Sequence, residues 1–243
     1  MSYRAEELLI SAIAGLLGGT VHVAVGAASP IPAAGALLAR ARSGGGLRVS
    51  LLGSRQHNFF TDGGRELFDC AAQGRIDAFF LSGAQIDGRA NINLVGIGDY
   101  PRSKVRLAGS FGSAYLYFLV PRVILFKPEH STRTLVPRVD FVSAPGGSPA
   151  GVYRPGGPSA LVTGRCVFSF DRDAARFRLA TVHPGQTVQD VRDNTGFEFD
   201  TPEQVAATLE PDAETLAVIR GEVCQEIAGT YPVFAAEVLG HTA

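Results

Sequence analysis

The stretch Ala78–Asn93, AFFLSGAQIDGRANIN, decides the fold. Four apolar residues (Ala78, Phe79, Phe80 and Leu81) run together and stop at Ser82-Gly83. A run that short, bounded by turn formers, reads as a strand buried on both faces. Gln85, Asp87, Gly88, Asn91 and Asn93 follow it. In open α/β sheets, ligands bind in the crevice beyond the carboxyl ends of such strands. A polar, glycine-bearing loop at that point is where chemistry is expected.

Upstream, Ala5–Leu17 sets Leu8, Leu9, Ala12, Ile13, Leu16 and Leu17 on one helical stripe, and Gly18-Gly19 stops it. Thr20–Val25 and Leu47–Leu52 read as strands, and Ala33–Arg42 and Arg65–Gln73 as helices. This alternation predicts βαβ units and a mainly parallel sheet. Beyond Arg102 the rhythm changes. Val105–Ala108, Val123–Phe126 and Val139–Ser143 read as strands, and the Gly- and Pro-rich Gly146–Pro158 as a surface loop. Ala160–Thr163, Cys166–Phe170 and Phe177–Thr181, with Asp171-Arg172-Asp173 as a hairpin tip, predict an antiparallel edge. Thr187–Asn194 and Pro202–Leu209 read as short helices and Asp212–Ile227 as a longer one. No internal repeat or dividing linker interrupts the chain, so one α/β domain over residues 1–243 is expected.

The 243 residues, 46% hydrophobic, suffice for a full core. A net charge of -1 without a basic cluster argues against a nucleic-acid partner. Cys70, Cys166 and Cys224 lie far apart, with no zinc-ligand spacing, and their odd number disfavours a secreted disulfide framework. No metal is expected. Arg4, Glu6 and Glu7 interrupt what would otherwise be a signal-peptide layout. No apolar run reaches the roughly 20 residues that span a bilayer. A cytoplasmic setting follows as the expectation.

Four segments carry a family resemblance: SGAQIDGRANIN (Ser82–Asn93), VRLAGSFGSA (Val105–Ala114), PRVILFKPEH (Pro121–His130) with PRVDFVSAPG (Pro137–Gly146), and HPGQTVQDVRDNTGFEF (His183–Phe199). In this order and spacing the chain resembles the class I coenzyme A transferases, in particular their B-type (beta) subunits, such as those of glutaconate and oxoacid CoA-transferases. The resemblance implies a three-layer α/β/α sandwich, an acyl-CoA thioester as substrate, no bound cofactor, and an alpha-type partner subunit sharing the site.

The resemblance also marks an absence. In the family, the strand equivalent to Leu47–Leu52 delivers a glutamate that attacks the acyl-CoA and then carries CoA as a thioester, splitting one hard exchange into two easier steps. Here the place reads Leu52-Gly53-Ser54-Arg55-Gln56-His57-Asn58, with Ser54 at the glutamate position. Losing a covalent nucleophile costs on the order of a million-fold in rate. One branch of the superfamily lacks this glutamate and hydrolyses a carbon–carbon bond in a ring-bearing acyl-CoA of steroid breakdown, with a glutamate from the A-type partner. A non-catalytic scaffold or CoA-ester sensor is the further alternative.

The candidate catalytic residues are therefore Ser54 and His57, whose imidazole would titrate at about 6.5 if unperturbed. Arg55, Gln56, Gly83, Ala84, Gln85, Gly109, Ser110 and Gly112 are the candidates for substrate or CoA binding. The glycines would let backbone N–H groups approach a thioester oxygen or a phosphate. Phe111 and Tyr115 depart from the family's glycine loop, which would narrow the site or alter what it accepts. Each residue has a plainer reading. His57 suits a hydrogen-bonded surface histidine, Asp87 an Asx-turn, and His183-Pro184-Gly185 a turn opening a helix. Cys70 suits core packing, and Glu66 and Glu129 exposed positions.

Overall fold

The computed structural model describes residues 2–240. The first part of the chain forms α1 (Ala5–Leu16), β1 (His22–Val25), α2 (Pro30–Arg42), β2 (Arg48–Leu51), α3 (Gly63–Ala72) and β3 (Ala78–Leu81). Four two-residue strands follow: β4 (Gln85–Ile86), β5 (Ile92–Asn93), β6 (Gly96–Ile97) and β7 (Val105–Arg106). Then come α4 (Ser113–Leu119), β8 (Arg122–Lys127), β9 (Pro158–Thr163), β10 (Cys166–Asp171) and β11 (Arg176–Val182). The chain closes with α5 (Val188–Asp193), β12 (Ala206–Ala207), α6 (Ala213–Val218), α7 (Cys224–Ala228) and α8 (Pro232–Leu239). It packs as two compact units, one of the residues up to Phe80 with those from Leu209 onward, the other of Leu81–Thr208.

In the first unit, β3, β1 and β2 lie side by side in parallel, with Val23 opposite both Val49 and Ala78. All four residues of β1 are buried, as a strand covered on both faces requires. The stripe on α1 buries Leu8, Leu9, Ile10 and Ile13. Helix α2 crosses α1 closely: a Cβ on Gly35 would sit 2.4 Å from Ile13 Cγ2, so only glycine permits this approach. The sequence places the start of α2 at Ala33, but it begins at Pro30. Prolines suit a first helical turn, whose N–H groups have no intrahelical acceptor. Asp212 caps α6 by accepting the Thr215 N–H at 2.8 Å, and a π-helical turn at Ile219–Val223 joins α6 to α7.

In the second unit, β8 pairs with β9 in parallel, β9–β10–β11 form the expected antiparallel ladder, and β12 pairs with β11 in parallel. The α/β fold with mixed, mainly parallel central strands agrees with the sequence reading. Phe168 anchors the core here, its ring centroid 5.0 Å from Phe199 and 5.8 Å from Phe177.

Two expectations are corrected. Pro202–Leu209 is not a helix. Its Thr208 N–H donates to Val182 O at 2.8 Å and its hydroxyl lies 2.6 Å from that of Thr181, so pairing with β11 overrides the local pattern. Val139–Ser143 is not a strand either. Its backbone is satisfied piecemeal, the Asp140 N–H by Gln85 Oε1 and the Ser143 N–H by Ile92 O, instead of by a regular ladder. No described helix is long and apolar enough to cross a membrane.

Candidate functional site

Strand β2 ends in a tight turn. Gly53 has φ +84, a conformation open to glycine at little cost. Ser54 is buried, and its Oγ accepts the backbone N–H groups of Gln56 and His57 at 3.3 and 3.1 Å. The His57 carbonyl then accepts the Leu51 N–H at 2.8 Å, closing the turn onto β2. Arg55 and Gln56 are exposed at its tip.

The His57 ring turns away from the serine hydroxyl. It is buried, with Nδ1 3.4 Å from Arg40 Nη1 and Nε2 3.5 Å from Glu226 Oε2. Burial depresses the imidazole pKa first, the Arg40 charge lowers it further, and Glu226 opposes both. The ring is therefore neutral near pH 7. Ser54 and His57 do not adopt the geometry of a nucleophile and its base. Glu226, an ion-pair partner of Arg40, was not singled out in the sequence. Nothing local could have flagged it, because 169 positions separate it from His57.

The two acids nearest in sequence logic are committed elsewhere. Glu66 Oε2 accepts from the Asp62 N–H, the Thr61 hydroxyl and the Thr61 N–H, which holds its carboxyl below the usual range. Glu129 is likewise held low, by the Ser131 hydroxyl first and by Arg133.

In the second unit, β4 and β5 form the hairpin that follows β3 in sequence. Gly83 is buried at its start, where a Cβ would meet Gln85 O at 2.7 Å. The Ala84 N–H donates to Asn93 O, and Gln85 Oε1 accepts from Asn93 Nδ2 at 2.8 Å and from the Asp140 N–H at 2.9 Å. Asp87 forms the Asx-turn, Oδ1 accepting the Arg89 and Asn91 N–H groups at 3.0 and 3.1 Å. Gly109 is brought to this hairpin, its N–H donating to Leu94 O at 3.0 Å. That donor is spent on the framework. The φ of +98 explains the glycine. Ser110 is half-buried and Gly112 caps α4, while Phe111 stands 86% exposed with φ +43.

His183 is buried, Nδ1 2.8 Å from Thr208 Oγ1 and Nε2 2.9 Å from Thr163 O, so it pins a turn. The helix after it carries a capping box, Thr187 Oγ1 accepting the Asp190 N–H at 3.0 Å. A cavity of about 480 Å³ opens beside Arg192, Gly196 and Phe199, and none of the candidate residues from the sequence lines it. Among the described residues no group of three His, Cys, Asp or Glu side chains has the arrangement of a metal site.

Comparison with known proteins brings a family into view. The family model for coenzyme A transferase matches residues 7–194. The chain is 36% identical over 154 residues to the B-type subunit of 3-oxoadipate CoA-transferase of Pseudomonas knackmussii, covering 60% of this chain and 58% of that protein. It is 31% identical over 162 residues to the cholesterol ring-cleaving hydrolase IpdB subunit of Rhodococcus jostii, covering 64% and 62%. These matches thus span less than two thirds of either relative. The crystal structure of glutaconate coenzyme A-transferase from Acidaminococcus fermentans superimposes with a TM-score of 0.78 at 26% identity, over 91% of this chain and 95% of that one.

Proposed function

The chain belongs to the coenzyme A transferase family as a B-type subunit, and from that premise we propose that it acts on an acyl-CoA jointly with an A-type chain. The reaction is hydrolysis, water cleaving a carbon–carbon bond of the acyl group, without a covalent CoA carrier on this chain. One observation carries this reading. Where the resemblance puts the thioester-forming glutamate, the turn after β2 offers Ser54, whose hydroxyl is engaged by two backbone N–H groups. Glu66 and Glu129 are bound into their own loops and do not stand in for it.

Transfer needs a nucleophile that holds CoA between two half-reactions. Hydrolysis needs an activated water and donors for the developing oxyanion. In this reading the A-type chain supplies the acid or base. Arg55 and Gln56, exposed at the turn, are the side chains of this unit that meet the thioester. The 31% identity to a hydrolase subunit supports it.

The competing reading is transfer with a carboxylate from the partner, favoured by the 36% identity to a transferase subunit. Incubating the assembled complex with an acyl-CoA and hydroxylamine or borohydride separates the two. Turnover with no trapped enzyme thioester supports hydrolysis. A thioester trapped on either chain overturns it, and an assembled complex without turnover points to a scaffold.

A further inference from the structure

The His57 ring is buried next to the proposed site, and its surroundings fix its chemistry. Arg40 presents only N–H donors. The ring nitrogen facing it, Nδ1 at 3.4 Å, must therefore offer a lone pair. In a neutral imidazole the proton then resides on Nε2, which points to Glu226 Oε2 at 3.5 Å and has no hydrogen-bond partner among the described residues. Arg40 and Glu226 also pair with each other. The arm holding Arg40 is fixed at its base, because its carbonyl accepts from Ser43 Oγ at 2.8 Å and from the Gly45 N–H at 3.0 Å. From the other side of the same residue, the His57 N–H donates to Ser54 Oγ and its carbonyl accepts from Leu51. One residue thus joins α2 and α7 to the turn that replaces the family's nucleophile.

We infer that Arg40 and Glu226 are positioning residues for the Ser54 turn, acting through the side chain of His57. The inference rests on the reading that this turn meets the thioester, but its mechanics concern the chain alone. Arg40 selects the Nε2–H tautomer and orients the ring, and Glu226 holds Arg40 while facing that proton. The ring orientation in turn places the His57 N–H against Ser54 Oγ and fixes where that hydroxyl points.

The test uses nitrogen-15 labelled full-length chain. Long-range proton–nitrogen correlation reads the His57 tautomer, and amide exchange reads the Gln56 and His57 N–H groups. The expected result is a single Nε2–H tautomer in the wild type. Arg40→Met should abolish that single tautomer and speed exchange at the two amides about tenfold, as the loss of one net hydrogen bond would. Arg40→Lys should restore the tautomer, and Glu226→Gln should give an intermediate state. A wild-type ring protonated on Nδ1, or an Arg40→Met chain with tautomer and exchange unchanged, overturns the inference. Should Arg40→Met fail to fold, Arg40→Lys and Glu226→Gln carry the same readouts. If these hold while the complex turns over no acyl-CoA, the functional reading fails and the positioning role stands.

Discussion

Tyr117 donates its buried phenol to the carbonyl of Ala90 at 2.8 Å. The acceptor lies in the tight loop after β4, where Ala90 itself takes a φ of +58. The bond ties α4 to the Asp87 turn, and burial raises the phenol pKa far above its ordinary value. Tyr117→Phe removes the donor and leaves a buried carbonyl unpaired, so stability should fall by about 1–3 kcal/mol. Urea unfolding of the variant measures it. An unchanged midpoint would show that water replaces the phenol.

Ser54→Ala removes an acceptor for two backbone N–H groups. About 1–2 kcal/mol of stability should be lost. Turnover by the complex should fall far less than the roughly million-fold loss typical of a missing covalent nucleophile. Steady-state kinetics on the variant complex decide this, since a collapse of that size would make Ser54 the nucleophile.

Acid should weaken the fold in a definite window. His22, His57, His130 and His183 all have pKa values lowered first by burial, His130 to about 4. The unfolded chain takes up these protons from about pH 6.5 downward, whereas the folded chain resists. Their contribution is complete above about 6.5 and is lost as pH falls toward 4. His130 alone accounts for roughly 3 kcal/mol across that interval. Urea midpoints at pH 7.5, 6 and 5 should fall in that order, and a flat series would contradict the buried neutral histidines.

The three thiols should separate in a labelling experiment. Cys166 is buried with its thiol pushed up to about 12, Cys224 is buried and also raised, and Cys70 is half-buried. Thiolate is the reactive form. A disulfide-exchange reagent should modify Cys70 alone in the native chain, and the other two only after unfolding.

Gly83→Ala should be costly, because the new Cβ would meet Gln85 O at 2.7 Å and Asn93 N at 3.3 Å, both backbone atoms. A loss of about 1–3 kcal/mol is expected, as for overpacking elsewhere. Thermal unfolding measures it. Gly109→Ala meets open space, and its penalty comes only from the φ of +98.

The apolar run Ala78–Leu81 and the stripe on α1 were legible because period and burial are local properties. The same holds for the lack of any Asp or Glu in Gly53–Asn58 after β2. Other features follow no local rule. Pro202–Leu209 looks helical but pairs with β11, and no local pattern shows that the Gly109 N–H goes to Leu94 O. Glu226 could not be seen at all. Its meaning depends on α7 lying against α2, which brings it to Arg40 and His57. Amino-acid order alone thus determined the fold class and the absence of an acidic residue from the turn after β2. Only the tertiary structure decided which donors and acceptors were already spent, since a hydrogen bond between distant segments is a property of packing in three dimensions.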